Sequence, residues 1–148
     1  MHYILLTRRV ILHPRVRATI VHAALQRYPR EACGLLLGTR DQWNVYIALA
    51  EETPNVSPDP RGFAICPSDH DRLAGGAPRG LQVWGIFHAH HHAFYPSTHD
   101  VLNMREHGLL SLIAGNAALG LAERIELGCF EARGPRSWRS VPLEVLPP

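Results

Sequence analysis

The chain has 148 residues, 46% of them apolar and 19% charged, which reads as one soluble globular domain over residues 1–148 with a proper core. The net charge of +2 comes from Arg with no Lys and no dense basic run, which argues against a nucleic-acid partner; no apolar stretch is long enough to span a membrane. Three cysteines, Cys33, Cys66 and Cys129, are far apart and form no C-x-x-C motif or disulfide framework, which suits a reducing cytosol and predicts a cytoplasmic protein.

Residues 3–12, rich in Ile, Leu and Val, predict a strand; the apolar run at Tyr3–Leu6 is too short for a signal peptide. His13-Pro14 opens a helix with Pro at a tolerated first-turn position, and Val16, Ile20, Ala23, Ala24 and Leu25 recur at helical spacing until Tyr28-Pro29 ends it. Glu31–Gly38 is a short apolar run read as a buried strand with Glu31 at its mouth, followed after the turn at Gly38–Asp41 by a strand from Trp43 to Leu49, so the two form a hairpin. The segment from Glu51 to Pro60 has the composition of a loop, Gly62–Ile65 of a short strand, and Pro67–Asp71 of a helix start, which Gly75-Gly76-Ala77-Pro78 breaks. Leu81–Trp84 enters a buried strand; a helix follows from about Thr98 to His107, with Gly108 as its C′ residue, and then a buried strand from Leu109 to Ala114. Leu119–Arg133 and Trp138–Leu146 read as two strands around the turn at Gly134-Pro135. This order predicts an α/β sheet with helices on both faces.

The chemistry concentrates between Gly85 and Asp100. In a strand, residues two apart face the same side, so His88 and His90 can aim both imidazoles at one point, and Asp100 can add a carboxylate after a short loop. Two imidazoles, one carboxylate and an open fourth position describe a catalytic zinc site, whereas a structural site would be closed, usually by cysteines. Ser97-x-x-Asp100 is also an ordinary N-terminal helix signature, and the two readings are compatible because a helix start would fix where Asp100 points. His91 and His92 read either as spare ligands or as polar loop residues. A hydrolytic metal site also needs a base. Glu31 is a candidate, with Asp41, Glu51, Glu52, Asp69, Asp71 and Glu106 as rivals that spacing alone does not separate.

Tyr28-Pro29-Arg30-Glu31-Ala32-Cys33-Gly34-Leu35-Leu36-Leu37-Gly38, with His22 upstream, resembles the opening motif of the JAMM (MPN+) zinc metalloprotease family. His88-x-His90 followed by Pro96-Ser97-x-x-Asp100 resembles its metal signature, and Asn55–Pro60 with Phe63 resembles the connecting segment of its short bacterial members. The resemblance covers residues 20 to 115 and implies a three-layer α/β/α fold with a mixed central sheet. It implies Zn2+ held by His88, His90 and Asp100, Glu31 as general acid/base, and Ser97 as a donor to the oxyanion. It further implies hydrolysis of a peptide or isopeptide bond after the C-terminal Gly-Gly of a ubiquitin-like β-grasp protein, for short bacterial members a sulfur carrier of the ThiS/MoaD type. Two departures stand out: His91 occupies the position of the family's usual Pro, and six residues, not seven, separate His90 from Ser97. Alternatives from other classes are a non-catalytic scaffold of the same fold, a Cys33-based hydrolase, and a His-rich metal-binding protein without hydrolase activity. Exposed strand edges would permit a homodimer and do not require one.

Overall fold

The computed structural model describes residues 7–148. Its elements run β1 (Arg9–Leu12), α1 (Pro14–Arg27), β2 (Cys33–Arg40), β3 (Asn44–Thr53), α2 (Pro67–Gly75), β4 (Gln82–Ala89), α3 (Thr98–His107), β5 (Leu110–Gly115), β6 (Glu126–Ala132), β7 (Trp138–Ser140) and β8 (Leu143–Val145). The eight strands form one mixed sheet in the order β7-β6-β5-β4-β2-β3-β1-β8. β1 pairs parallel with β3, and β4 with β5; β2 pairs antiparallel with both β3 and β4.

The two sheet faces carry different cores. α1 buries Val16, Ile20, Val21, Ala23 and Ala24, a stripe at helical spacing, against Val10, Leu12, Leu36, Phe87, Leu112 and Ala114. α3 lays Val101 and Met104 against Ile113 and Phe130. Because strand side chains alternate, Leu112 and Ile113 on β5 face opposite layers. The result is the predicted α/β architecture: a mixed sheet between helices. β2 crosses the centre tightly: a Cβ at Gly34 would lie 2.2 Å from the Glu51 carbonyl oxygen and 2.5 Å from the Phe87 ring.

Helix ends follow local rules. The His13 imidazole accepts the Arg15 N–H at 3.1 Å above Pro14, and α3 closes on Gly108 in the left-handed conformation, φ +63°, which costs glycine little. The hairpin of β2 and β3 forms as expected, with β3 running on to Thr53.

Four expectations need correction. Of the strand expected over residues 3–12, the start lies outside the described residues, and the observed β1 is Arg9–Leu12. Gly62–Ile65 is not a strand: Asn55 takes its polar groups instead, its Oδ1 accepting from Ser57 N and Ala64 N and its Nδ2 donating to Gly62 O. The strand expected from Leu119 starts only at Glu126, because Asn116 (φ +68°) and Gly120 (φ +71°) bracket a short 3-10 turn, Ala117–Leu119, and a second, Ala122–Arg124, follows.

Trp138–Leu146 likewise divides. β7 pairs with β6 at one edge of the sheet and β8 with β1 at the other. Only Val141-Pro142 separates them; Val141 N donates to Cys129 O at 2.7 Å, and Pro142 O accepts from Val10 N at 2.9 Å. The sheet therefore curls until its two edges meet. Arg139 reinforces the seam, bonding Glu131 at 2.5 Å and the Thr7 carbonyl oxygen. Among the described residues no helix is long and apolar enough to cross a membrane.

Candidate metal centre

The site lies where β4 leaves the sheet beneath the first turn of α3. His88 pairs with Cys33 on β2 and with Ile113 on β5, and so projects into the α3 layer. His90 follows one residue past the end of β4, its N–H donating to the Ala114 carbonyl at 2.8 Å, and keeps the same side. Their Nε2 atoms are 3.0 Å apart. Asp100, in the first turn of α3, closes the triangle: Oδ1 lies 3.3 Å from His88 Nε2 and Oδ2 lies 3.2 Å from His90 Nε2. Phe63 stacks on the His88 ring, with centroids 4.3 Å apart and planes inclined by 21°.

Asp100 is positioned by the helix cap. Ser97 Oγ accepts the Asp100 N–H at 3.2 Å, and Asp100 Oδ2 accepts the Ser97 N–H at 2.8 Å, a complete capping box. His90 is oriented by its other nitrogen: Nδ1 donates to the Ala93 carbonyl at 3.0 Å, which turns Nε2 toward Asp100 and His88. A carbonyl can only accept, so Nδ1 carries a hydrogen.

Glu31 precedes β2 and is buried. Donor atoms of Glu31, His88 and His90 lie within 4.8 Å of one another, so these three are candidate metal-binding residues. The Glu31 carbonyl is fixed by Asn55 Nδ2 at 2.9 Å.

The donor set fits a divalent metal of the zinc type. A tetrahedral ion with bonds of roughly 2.0–2.1 Å spaces its ligand atoms by about 3.3 Å. The two imidazole nitrogens, 3.0 Å apart, are close to that spacing, and each has an Asp100 oxygen at 3.2 or 3.3 Å, a different one for each. The Glu31 carboxylate joins the two imidazoles within 4.8 Å. Electrostatics agree. Burial pushes the Glu31 carboxyl up to about 7, against the pull of His90 and with help from Asp100 and Asp59. Burial also works against ionised Asp100, yet hydrogen bonds from His88 and His90 hold its carboxyl far below the usual range. Burial holds His88 low despite Asp100. His90 is raised: burial opposes its charge, and Asp100, the Ala93 carbonyl and Glu31 outweigh that. A negative carboxylate between two imidazoles is the arrangement a cation satisfies.

The remaining sequence candidates are placed elsewhere. His92 and His99 are exposed, and His91 contacts the Pro29 carbonyl at 2.6 Å. Ser97 is exposed beside the ligand triangle with its oxygen engaged in the cap. Cys33 is fully buried against Thr53, and burial pushes its thiol up to about 11, the opposite of what a nucleophilic thiolate needs. Of the rival acids, Asp41 caps the β2–β3 turn and Glu52 pairs with Arg27 at 2.8 Å. Of the supports of the site, the Ala93 carbonyl carries no signal in the sequence; Asn55 and Phe63 show there as turn chemistry and as part of the connecting segment, not as contacts of the centre. Beside Glu31 a cavity of about 350 Å³ opens, lined by Arg27, Arg30, Glu52, Thr53 and Asn55 among others.

Comparison with known proteins agrees with this architecture. The solution structure of a protein from Desulfitobacterium hafniense is similar over 93% of this chain and 92% of that one, with a TM-score of 0.76 at 22% identity. The crystal structure of a JAB1/MPN domain protein from Archaeoglobus fulgidus is similar over 92% and 98%, with a TM-score of 0.61 at 22% identity. At this identity the likeness shows the fold. No curated protein sequence matches the chain. The family model of the prokaryotic homologs of the JAB domain matches residues 13–140, which hold β2 to β7 and every residue of the candidate centre, and the chain belongs to that family.

Proposed function

We propose that the protein is a zinc-dependent hydrolase that cleaves a peptide or isopeptide bond after the C-terminal Gly-Gly of a ubiquitin-like or sulfur-carrier protein. The observation that carries this reading is the convergence of His88, His90 and Asp100 at ligand spacing with the buried Glu31 carboxyl, raised to about 7, beside them. Zinc held by His88, His90 and Asp100 would supply a Lewis acid that acidifies water and polarises the scissile carbonyl.

The chain's own groups do the rest. A carboxyl that titrates near neutrality both accepts and releases a proton at working pH, so Glu31 takes the proton of the attacking water and delivers it to the leaving nitrogen. The Ser97 oxygen accepts from the cap, which leaves its O–H to donate to the developing oxyanion. The cavity beside Glu31 receives the leaving group, because the nitrogen that Glu31 protonates must lie within hydrogen-bond reach of it. A Gly-Gly tail suits a centre that an extended chain reaches with little room for side chains. The three cysteines are unpaired, which supports a reducing cytoplasm as the place of work.

The test is cleavage of β-grasp carriers ending in Gly-Gly-X by the zinc-loaded protein, followed by mass spectrometry, beside Glu31→Gln. Turnover in the wild type and none in Glu31→Gln, with one zinc in each, is expected. Stoichiometric zinc without cleavage of any carrier would leave a metal-binding scaffold, and turnover in Glu31→Gln would remove Glu31 from the mechanism.

A further inference from the structure

We infer that His91 is a positioning residue: its imidazole extends the β2–β4 pairing past the point where the backbones part and so sets the distance between Glu31 and the ligands. This rests on the functional reading above for its effect on turnover. The anchor itself is a matter of geometry.

The ligands and Glu31 stand on different elements. The β2–β4 ladder ends with Cys33 opposite His88, and one more backbone bond follows, Ala89 N to Ala32 O at 3.0 Å. Glu31 and His90 lie beyond it. Pro29 has no N–H, so a regular ladder has no donor from that residue. His91 Nε2 lies 2.6 Å from the Pro29 carbonyl oxygen, across 62 residues of chain, and its ring meets the Tyr28 ring edge-on at 5.0 Å. Because a carbonyl only accepts, Nε2 carries the hydrogen and is turned away from metal ligation.

The other side of the loop is held by backbone alone. Asn116 N donates to His92 O at 2.6 Å, Ala117 N to His90 O at 3.2 Å, and Ala118 N to His91 O at 3.1 Å. The ligand loop is thus fixed to the turn after β5 whatever side chain stands at 91. Beyond the Ala89–Ala32 bond, the imidazole carries that rigidity across to the segment bearing Glu31, whose carbonyl is clasped by Asn55. The family resemblance leads one to expect a proline at this position. Here a residue with a donor stands in a loop one residue shorter, and the donor is used.

Two variants separate the anchor from bulk. His91→Phe keeps an aromatic ring against Tyr28 and removes the donor; His91→Gln keeps an N–H at similar reach. Three readouts are made: the His91 tautomer by nitrogen-15 NMR, amide exchange at Glu31–Cys33 in the metal-free protein, and metal stoichiometry with kcat and KM on a Gly-Gly-tailed carrier. Expected in the wild type is a ring that carries a hydrogen on Nε2. In His91→Phe, exchange at Glu31 and Ala32 should rise by roughly tenfold or more. Its kcat should fall by about ten- to a hundredfold with KM little changed and zinc still bound, since a misplacement of about 1 Å costs that much. His91→Gln should restore both. Unchanged exchange in His91→Phe, a ring protonated on Nδ1 alone, or no rescue by Gln would overturn the inference. So would a loss of metal affinity beyond roughly a hundredfold, more than loss of an outer partner produces, which would make His91 a ligand. If no carrier is cleaved, the functional reading fails, and tautomer and exchange still decide the anchor.

Discussion

Replacing Glu31 by Gln should stabilise the metal-free protein, and the gain should depend on pH. Glu31 is buried, and its carboxyl is pushed from an ordinary value of 4.5 up to about 7. Below pH 4.5 the group is protonated in both folded and unfolded chains and costs nothing. Between 4.5 and 7 the unfolded chain releases the proton while the folded chain keeps it, so stability falls as pH rises. Above 7 both are ionised, and the full cost is reached. At roughly 1.4 kcal/mol for each tenfold difference in proton affinity, that cost is about 3 kcal/mol. In a chain of this size it corresponds to about 10 °C in Tm. Gln has nearly the same shape and no charge, so the difference between the two proteins isolates this ionisation, including its attraction to His90. The assay is urea unfolding of chelator-treated wild type and Glu31→Gln at one-unit steps from pH 4 to 8. The gap should widen by about 3 kcal/mol across that range and then level off. A gap that stays constant, or a wild type that gains on the variant as pH rises, would mean the carboxyl is not buried against its charge. The fold would then not be holding Glu31 ready as a base.

Asp100 predicts the opposite slope. Its carboxyl is held well below the usual range, so its contribution is full above that range and is lost as pH falls through it and below. Acid unfolding of the metal-free wild type should therefore be steeper below pH 4 than that of Asp100→Asn, as followed by circular dichroism. Asp100→Ala removes both the proposed third ligand and the acceptor for the Ser97 N–H; it should lose stoichiometric zinc by mass spectrometry and about 1 kcal/mol or more of metal-free stability. Gly34→Ala, in the strand that follows Glu31, places a Cβ 2.2 Å from the Glu51 carbonyl oxygen, so it should cost about 3 kcal/mol in urea unfolding.

Much of this molecule is legible in one sequence because its strongest signals are local. Gly108 after His107, Pro14 before an apolar stripe and the alternation through Phe87 and His88 each name an element. Other parts fail for a physical reason. Gly62–Ile65 has strand composition but its hydrogen bonds go to the Asn55 side chain, 7 residues from Gly62. The residues from Trp138 onward look like one strand, yet Val141 and Pro142 turn the chain from one edge of the sheet to the other. Composition does not report how far a sheet curls. The same limit applies to Phe63 and Ala93: stacking on His88 and orienting His90 are consequences of where the chain passes, not of what the residues are.

The ambiguity of Ser97-x-x-Asp100 dissolves for a different reason. A capping carboxylate and a ligating carboxylate look like competing uses of one side chain. The geometry divides them by atom and by lone pair. Asp100 Oδ2 accepts the Ser97 N–H at 2.8 Å and still faces His90 at 3.2 Å, while Oδ1 is left to His88 at 3.3 Å. A carboxylate has about four lone-pair sites, so the cap uses one and leaves the rest for the centre. The cap then fixes the direction of the carboxylate before any metal binds, at the end of a helix whose dipole favours negative charge there. The helix signature is thus part of the site. Its strictest consequence is that Ser97→Ala, which removes only one half of the box, should loosen metal binding by more than its cost in stability alone predicts. Equal losses in both, in paired zinc competition and unfolding measurements, would show the cap and the centre to be independent.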